Sequence, residues 1–288
     1  MIDVSVLSRL VPALVALVVA GASAVPAAGA PKPGWAPAET AAITPGVQMF
    51  TRGAQCTGNF VFRDRSGAVF VGYAAHCAGL GEATDTDGCD TESHPLGTPV
   101  TFEVGAGALT GGEVVGRGRL AYSSWITMQR LGMRGGPACA YNDFALVKVR
   151  KRDLAKVNPS LPVWGGPTGV ARDGAAAGDQ VFSYGNSSLR GGITLTSPKV
   201  GVVTGSSGGG WSHHVYTLTP GIPGDSGSGV VDATGRVIGT VSTIALAPFP
   251  GENGLGDLRR QLRFAKRHGG LEGLRLVKGT EPFSGLLG

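Results

Sequence analysis

Apolar and polar residues alternate with a period of two over many short stretches of this chain, and Gly, Pro, Asn or Asp interrupts the pattern between them. Residues 59–63, 68–74, 99–104, 143–149, 180–184, 200–203 and 215–218 read as antiparallel strands. Residues 229–232 and 237–243 flank Ala233-Thr234-Gly235-Arg236 as a hairpin, with a glycine available for a positive φ. One helix is predicted late, over 255–268, where Leu255, Leu258, Leu262 and Ala265 recur at helical spacing before Gly269-Gly270. Its other face is basic through Arg259, Arg260, Arg263, Lys266 and Arg267, and reads as a solvated surface. A seam is expected within 151–167, where Lys151-Arg152-Asp153 is followed by Asn158-Pro159 and Gly165-Gly166-Pro167.

Composition supports an all-β reading. The 288 residues include 49 Gly and 18 Pro, which leaves little room for long helices. Hydrophobic residues make up 42% and the net charge is +5, so the chain lies outside the range of disordered sequences. Residues 1–30 read as a secretory signal: Arg9 ends a short polar start, and an uncharged apolar run turns Ala/Gly-rich before Lys32. Cleavage fits after Ala24 or after Ala30. No stable membrane anchor is expected.

Four cysteines in an exported chain suggest two disulfides, with three connectivities open. The sequential pairing, Cys56 with Cys77 and Cys89 with Cys139, closes two modest loops and clamps the strand end next to His76. No metal site is expected, because the sequence has no C-x-x-C or H-x-x-x-H spacing. No cofactor is expected either.

Three segments carry candidate chemistry. Gly72-Tyr73-Ala74-Ala75-His76-Cys77 places a histidine at the end of an apolar strand, and Asn142-Asp143-Phe144-Ala145-Leu146 places an aspartate at the head of another. Gly224-Asp225-Ser226-Gly227-Ser228-Gly229 places a serine in a glycine-bracketed turn. Nucleophilic acyl transfer needs a hydroxyl, a base, a group that orients the base, and donors for an oxyanion. These segments supply all four.

The three segments resemble the A-A-H-C, D-x-A-L and G-D-S-G signatures of the chymotrypsin-like (trypsin-like) serine peptidases. The resemblance spans roughly residues 54–243 and implies two six-stranded antiparallel β-barrels with a C-terminal helix. The domain organisation expected is a signal at 1–30, a pro-segment or N-terminal arm at 31–53, a first barrel at 54–157, a second at 158–254, and a helix and tail at 255–288. It implies a triad of His76, Asp143 and Ser226, and an oxyanion hole from the N–H groups of Gly224 and Ser226. It also implies a structural role for Asp225 against a buried cation, and for Ser242 a contact with the triad aspartate. The function implied is that of a secreted, monomeric endopeptidase acting on polypeptide substrates, without nucleic-acid partners.

At the primary pocket the expected residues are Pro220, Ser242, Thr243 and Ile244. Where trypsin-like members carry an aspartate at the pocket base, this chain has Pro220. Residues 219–223 and 241–245 are uncharged, so a basic P1 side chain would be desolvated without a partner. Ile244 is expected to narrow the entrance. Two rival readings stand beside this one. An α/β-hydrolase reading uses Gly205-Ser206-Ser207-Gly208-Gly209 with Asp225 or Asp257 and His268, but the glycine run that follows cannot open the helix a nucleophile elbow requires. The second is a catalytically idle binding module of the same fold.

Overall fold

The computed structural model describes residues 34–81, 85–244 and 251–285, so the expected signal lies outside the described residues. The N-terminal half builds one antiparallel sheet from β1 (Gln48–Thr51), β2 (Ala54–Thr57), β3 (Val61–Arg63), β4 (Val69–Tyr73), β5 (Pro99–Val104), β6 (Glu113–Ser123) and β7 (Ala145–Val149). Two short helices, α1 (Ser124–Arg130) and α2 (Pro137–Tyr141), lie between β6 and β7. The strand order is β3-β4-β7-β6-β5-β1-β2. β2 runs directly into β3 through Gly58–Phe60, whose N–H and C=O groups bond to Val47 and Gly72. The two ends of the sheet are therefore one bent strand, and the sheet closes as a six-stranded barrel.

A second sheet contains β8 (Gly169–Val170), β9 (Gln180–Tyr184), β10 (Pro198–Ser207), β11 (Ser212–Leu218), β12 (Gly229–Asp232), β13 (Arg236–Ile244) and β14 (Asn253–Asp257). The order β12-β9-β10-β11-β14-β13 closes on itself through the β12–β13 pairing, giving a second six-stranded barrel with β8 appended. α3 (Leu258–His268) follows, and β15 (Arg275–Leu276) returns to pair with β3 of the first barrel. The fold is thus the chymotrypsin-like double barrel with a C-terminal helix.

Each barrel has its own core, the first around Met49, Val71, Phe102 and Val147, the second around Val181, Val215, Ile238 and Leu255. A third cluster joins them, where Phe60, Phe62, Phe144, Leu146 and Phe182 meet Leu258, Leu262 and Ala265 of α3.

Three expected boundaries move. The helix begins at Leu258 rather than 255, because Asp257 caps it by accepting the Arg260 N–H at 2.8 Å, and Leu255 instead lies on β14 and is fully buried in the second barrel. The second barrel accordingly extends to Asp257 instead of ending at 254. The expected arm at 31–53 contains β1, which pairs with β2 and β5 and so belongs to the first barrel. On α3, Arg260 docks on the Gly209 carbonyl at 2.7 Å and stacks over the Trp211 ring, and Arg259 docks on the Arg172 carbonyl.

Candidate active site

His76 stands on a short 3-10 turn, Ala75–Ala78, immediately after β4. Its neighbour Cys77 is bonded to Cys56 on β2, and Ala74, Ala75 and Ala78 are buried, so the turn is anchored on both sides of the ring. Asp143 lies on the link from α2 to β7. The second disulfide, Cys89–Cys139, fixes α2. The Ser124 hydroxyl accepts the Phe144 N–H at 3.0 Å and donates to the Asn142 carbonyl at 2.5 Å, which holds the backbone on either side of the aspartate.

Asp143 is 3% exposed and accepts three hydrogen bonds. Its Oδ1 accepts the His76 backbone N–H at 2.8 Å, and its Oδ2 faces His76 Nδ1 at 2.6 Å and accepts the Ser242 hydroxyl at 2.6 Å. Facing a carboxylate, Nδ1 carries the proton, which leaves Nε2 with the free lone pair. Burial alone would raise the Asp143 pKa, but the His76 charge and the hydrogen bonds from His76 and Ser242 hold it below the usual carboxylate value. Burial would likewise depress His76, yet the Asp143 charge and hydrogen bond outweigh it and leave the imidazole above the ordinary histidine value.

Ser226 is held by two backbone bonds, one from the first barrel and one within the second. Its carbonyl accepts the Thr57 N–H at 2.8 Å, and the Gly227 N–H donates to Val241 at 2.7 Å. A Cβ on Gly227 would fall 2.6 Å from the Thr57 oxygen and 2.8 Å from the Ala74 nitrogen, so only glycine lets the serine turn lie this close to the strand that ends in His76. Among the described residues no hydrogen bond joins Ser226 Oγ to His76 Nε2. Such bonds are commonly long in unliganded sites and tighten with substrate.

The turn before the serine is held from outside. The Pro223 carbonyl accepts the Ser187 hydroxyl at 2.5 Å, so the planar peptide directs the Gly224 N–H away from Ser187. The Gly224 carbonyl accepts Thr57 Oγ1 at 2.8 Å and Gln55 Nε2 at 3.2 Å. Gln55 also donates to the Asn186 carbonyl and accepts the Ser188 N–H, clamping the 186–188 loop onto the turn.

Asp225 has two cationic partners. Its Oδ2 lies 2.7 Å from Arg190 and 3.0 Å from Lys199, and its Oδ1 accepts the Ser187 N–H at 3.1 Å. Burial leaves Lys199 below the usual lysine value; Asp225 opposes that shift and Arg190 adds to it. Lys199 Nζ also donates to the carbonyls of Thr219 at 3.2 Å and Pro220 at 3.1 Å, so a buried ammonium lies directly behind the expected pocket base. Asn253 joins the two expected walls, accepting the Gly221 N–H at 3.1 Å and donating to the Thr243 carbonyl at 3.4 Å. Ile244 is half-buried at the end of β13, and Ala245 lies outside the described residues.

Sequence reasoning missed Gln55, Ser187, Arg190, Lys199 and Asn253. None sits in a motif, and each acts through contacts across long sequence separations. The one local signal was Lys199, a charged residue near the start of a strand and directly before the apolar run Val200-Gly201-Val202-Val203.

A family model described as a trypsin-like peptidase domain matches residues 56–239. Among solved structures, Thermobifida fusca protease A is similar over 82% of this chain and 99% of its own, at 16% identity and a TM-score of 0.49. The Nocardiopsis protease is similar over 81% of this chain and 98% of its own, at 18% identity and a TM-score of 0.49. Cellulomonas bogoriensis chymotrypsin is similar over 82% and 98% respectively, at 18% identity and a TM-score of 0.47. Among curated proteins the sequence has no significant match.

Proposed function

This chain belongs to the family of trypsin-like peptidases, a serine protease fold of chymotrypsin type, and on that premise we propose that it is a secreted, monomeric endopeptidase with His76, Asp143 and Ser226 as its triad. The observation that carries the reading is Asp143, buried and holding both the ring and the backbone of His76 while Ser242 donates to its Oδ2. Ser226 Oγ attacks the scissile carbonyl as His76 Nε2 takes its proton. His76 then delivers that proton to the leaving amine, and water releases the acyl group by the same route in reverse. The N–H groups of Gly224 and Ser226 stabilise the oxyanion. The two barrels divide the work, the first supplying His76 and Asp143 and the second Ser226.

The pocket formed by Pro220, Ser242, Thr243 and Ile244 accepts uncharged P1 side chains. A basic P1 would meet no carboxylate there and would approach Lys199 and Arg190 behind the base, which adds repulsion to desolvation. Both disulfides suit an oxidising compartment. No helix among the described residues is long and apolar enough to cross a membrane.

Cleavage of a peptide library by the secreted protein, beside its Ser226→Ala variant, tests the reading. Activity should vanish with Ser226→Ala while the melting temperature holds, and cleavage should follow small or medium uncharged residues. Unchanged hydrolysis by Ser226→Ala would sink the triad, and a profile dominated by Lys or Arg would sink the pocket assignment.

A further inference from the structure

Ser207 ends β10, His214 lies on β11 and Glu252 immediately precedes β14. The register pairs Gly205 with His214 and His214 with Gly254. Residues two apart on a strand share a face, so Ser207 and Glu252 fall diagonally on either side of His214 across three adjacent strands. That face is outward: the neighbouring His213 is buried on the opposite face, whereas the His214 side chain is 33% exposed.

The contacts run in a line. Ser207 Oγ lies 3.1 Å from His214 Nε2, and His214 Nδ1 lies 3.4 Å from Glu252 Oε2. The other Glu252 oxygen accepts the Thr204 hydroxyl at 2.6 Å. This repeats, on a different surface, the arrangement in which Ser242 steadies Asp143 behind His76. A nucleophile, a base in hydrogen-bond reach and a fixed carboxylate behind the base are the parts an acyl-transfer site requires. Ser207 is also the serine of the G-x-S-x-G stretch. It is followed by Gly208 and Gly209 at φ +59° and +62°, and among the described residues the N–H groups of both glycines engage no carbonyl. The N–H directly after a nucleophile is the donor that an oxyanion uses in other serine hydrolases.

We propose that Ser207, His214 and Glu252 form a second acyl-transfer site that hydrolyses small activated carboxylic esters independently of Ser226. Ser207 Oγ bonds to the ester carbonyl carbon while its proton passes to His214 Nε2. The carbon–alkoxide bond then breaks, and the leaving oxygen takes that proton. Water next bonds to the acyl carbon as His214 Nε2 takes its proton; the carbon–Ser207 Oγ bond breaks, Oγ takes that proton back from His214, and the carboxylic acid is released. The substrate class follows from the geometry. The His214–Glu252 contact is longer than the His76–Asp143 contact, so the carboxylate supports the base less and the site favours good oxygen leaving groups over amines.

The test uses the full chain carrying Ser226→Ala, so that its outcome does not depend on the proposed peptidase site. A biotinylated fluorophosphonate should label the peptide containing Ser207, and His214→Ala should abolish that label. Hydrolysis of p-nitrophenyl acetate should fall by about 10²-fold or more when Ser207→Ala is added, the scale of a lost general-base and nucleophile pair. Glu252→Gln should lower kcat for the ester with KM unchanged, a split that a purely structural contact would not produce. Thermal melts of each variant report on folding. An unlabelled Ser207 in a folded protein, or equal ester hydrolysis with and without Ser207→Ala, overturns the proposal.

Discussion

Replacing Ser187 by Ala removes one hydroxyl and nothing that touches substrate, yet it should slow catalysis. The lost group donates to the Pro223 carbonyl at 2.5 Å and accepts the Leu189 N–H at 3.1 Å. The first of these bonds fixes the plane of the peptide that carries the Gly224 N–H. A hydrogen bond of this kind is worth about 1 kcal/mol net, roughly a factor of five in an equilibrium constant. The aligned orientation of the 223–224 peptide should lose that much preference. Gln55 and Thr57 still hold the Gly224 carbonyl, so the turn should not collapse. An oxyanion donor acts on the transition state and hardly at all on the bound substrate, so the loss belongs in kcat, with KM unchanged. The expected result is about a fivefold fall in kcat, below the ceiling of about 10²- to 10³-fold for complete loss of the donor. Gly224→Ala should approach that ceiling, because its φ is +94° and the added Cβ would fall 2.2 Å from Gln55 Oε1. Steady-state kinetics on a peptide p-nitroanilide read both constants. An unchanged kcat for Ser187→Ala, or an effect confined to KM, would refute the reasoning.

The remaining expectations concern charge. Asp143 raises the His76 pKa, and His76 serves as a base only when neutral, so kcat/KM should fall on the acid side through a midpoint above the unperturbed value of about 6.5. The same shift contributes stability that is full below the unfolded-state value and is lost as pH rises through the folded one, while the lowered Asp143 contributes above its unfolded value and loses it as pH falls. A midpoint at or below the free-histidine value would contradict the coupling. Asp225→Asn should cost about 3–5 kcal/mol in urea unfolding, because it leaves Arg190 and Lys199 as buried cations without a counter-charge. A loss under about 1 kcal/mol would show that the cations relax to solvent.

The proposed triad was legible in the sequence because His76, Asp143 and Ser226 each sit in a short local motif whose strand or turn follows from its own neighbours. The supporting shell was not. Gln55, Arg190 and Lys199 reach the site only after the barrels close, and no periodicity marks them. β6 escaped the strand pattern for a different reason. Its inward positions include Gly116 and Gly118, where an apolar side chain is expected, and a Cβ there would fall 2.6 Å from Ile43 and 2.4 Å from Val147. The barrel interior is too crowded at those points for a side chain, so the strand hides its inward face behind glycine. Residues 255–257 of β14 read as part of the helix because Gly254 and Gly256 flank the inward Leu255 and leave its strand alternation unmarked.

β15 couples the segment after α3 to the first barrel. Arg275 and Leu276 pair with Arg63 and Phe62, the Val277 N–H donates to Val61, and Leu274 is buried in the cluster between the barrels. From α3, Gln261 reaches the Asp143 carbonyl at 3.4 Å. During synthesis these supports leave the ribosome after His76, Asp143 and Ser226 have already emerged. A chain with only residues up to 257 synthesised would therefore carry His76, Asp143 and Ser226 without the helix and strand that pack against both barrels.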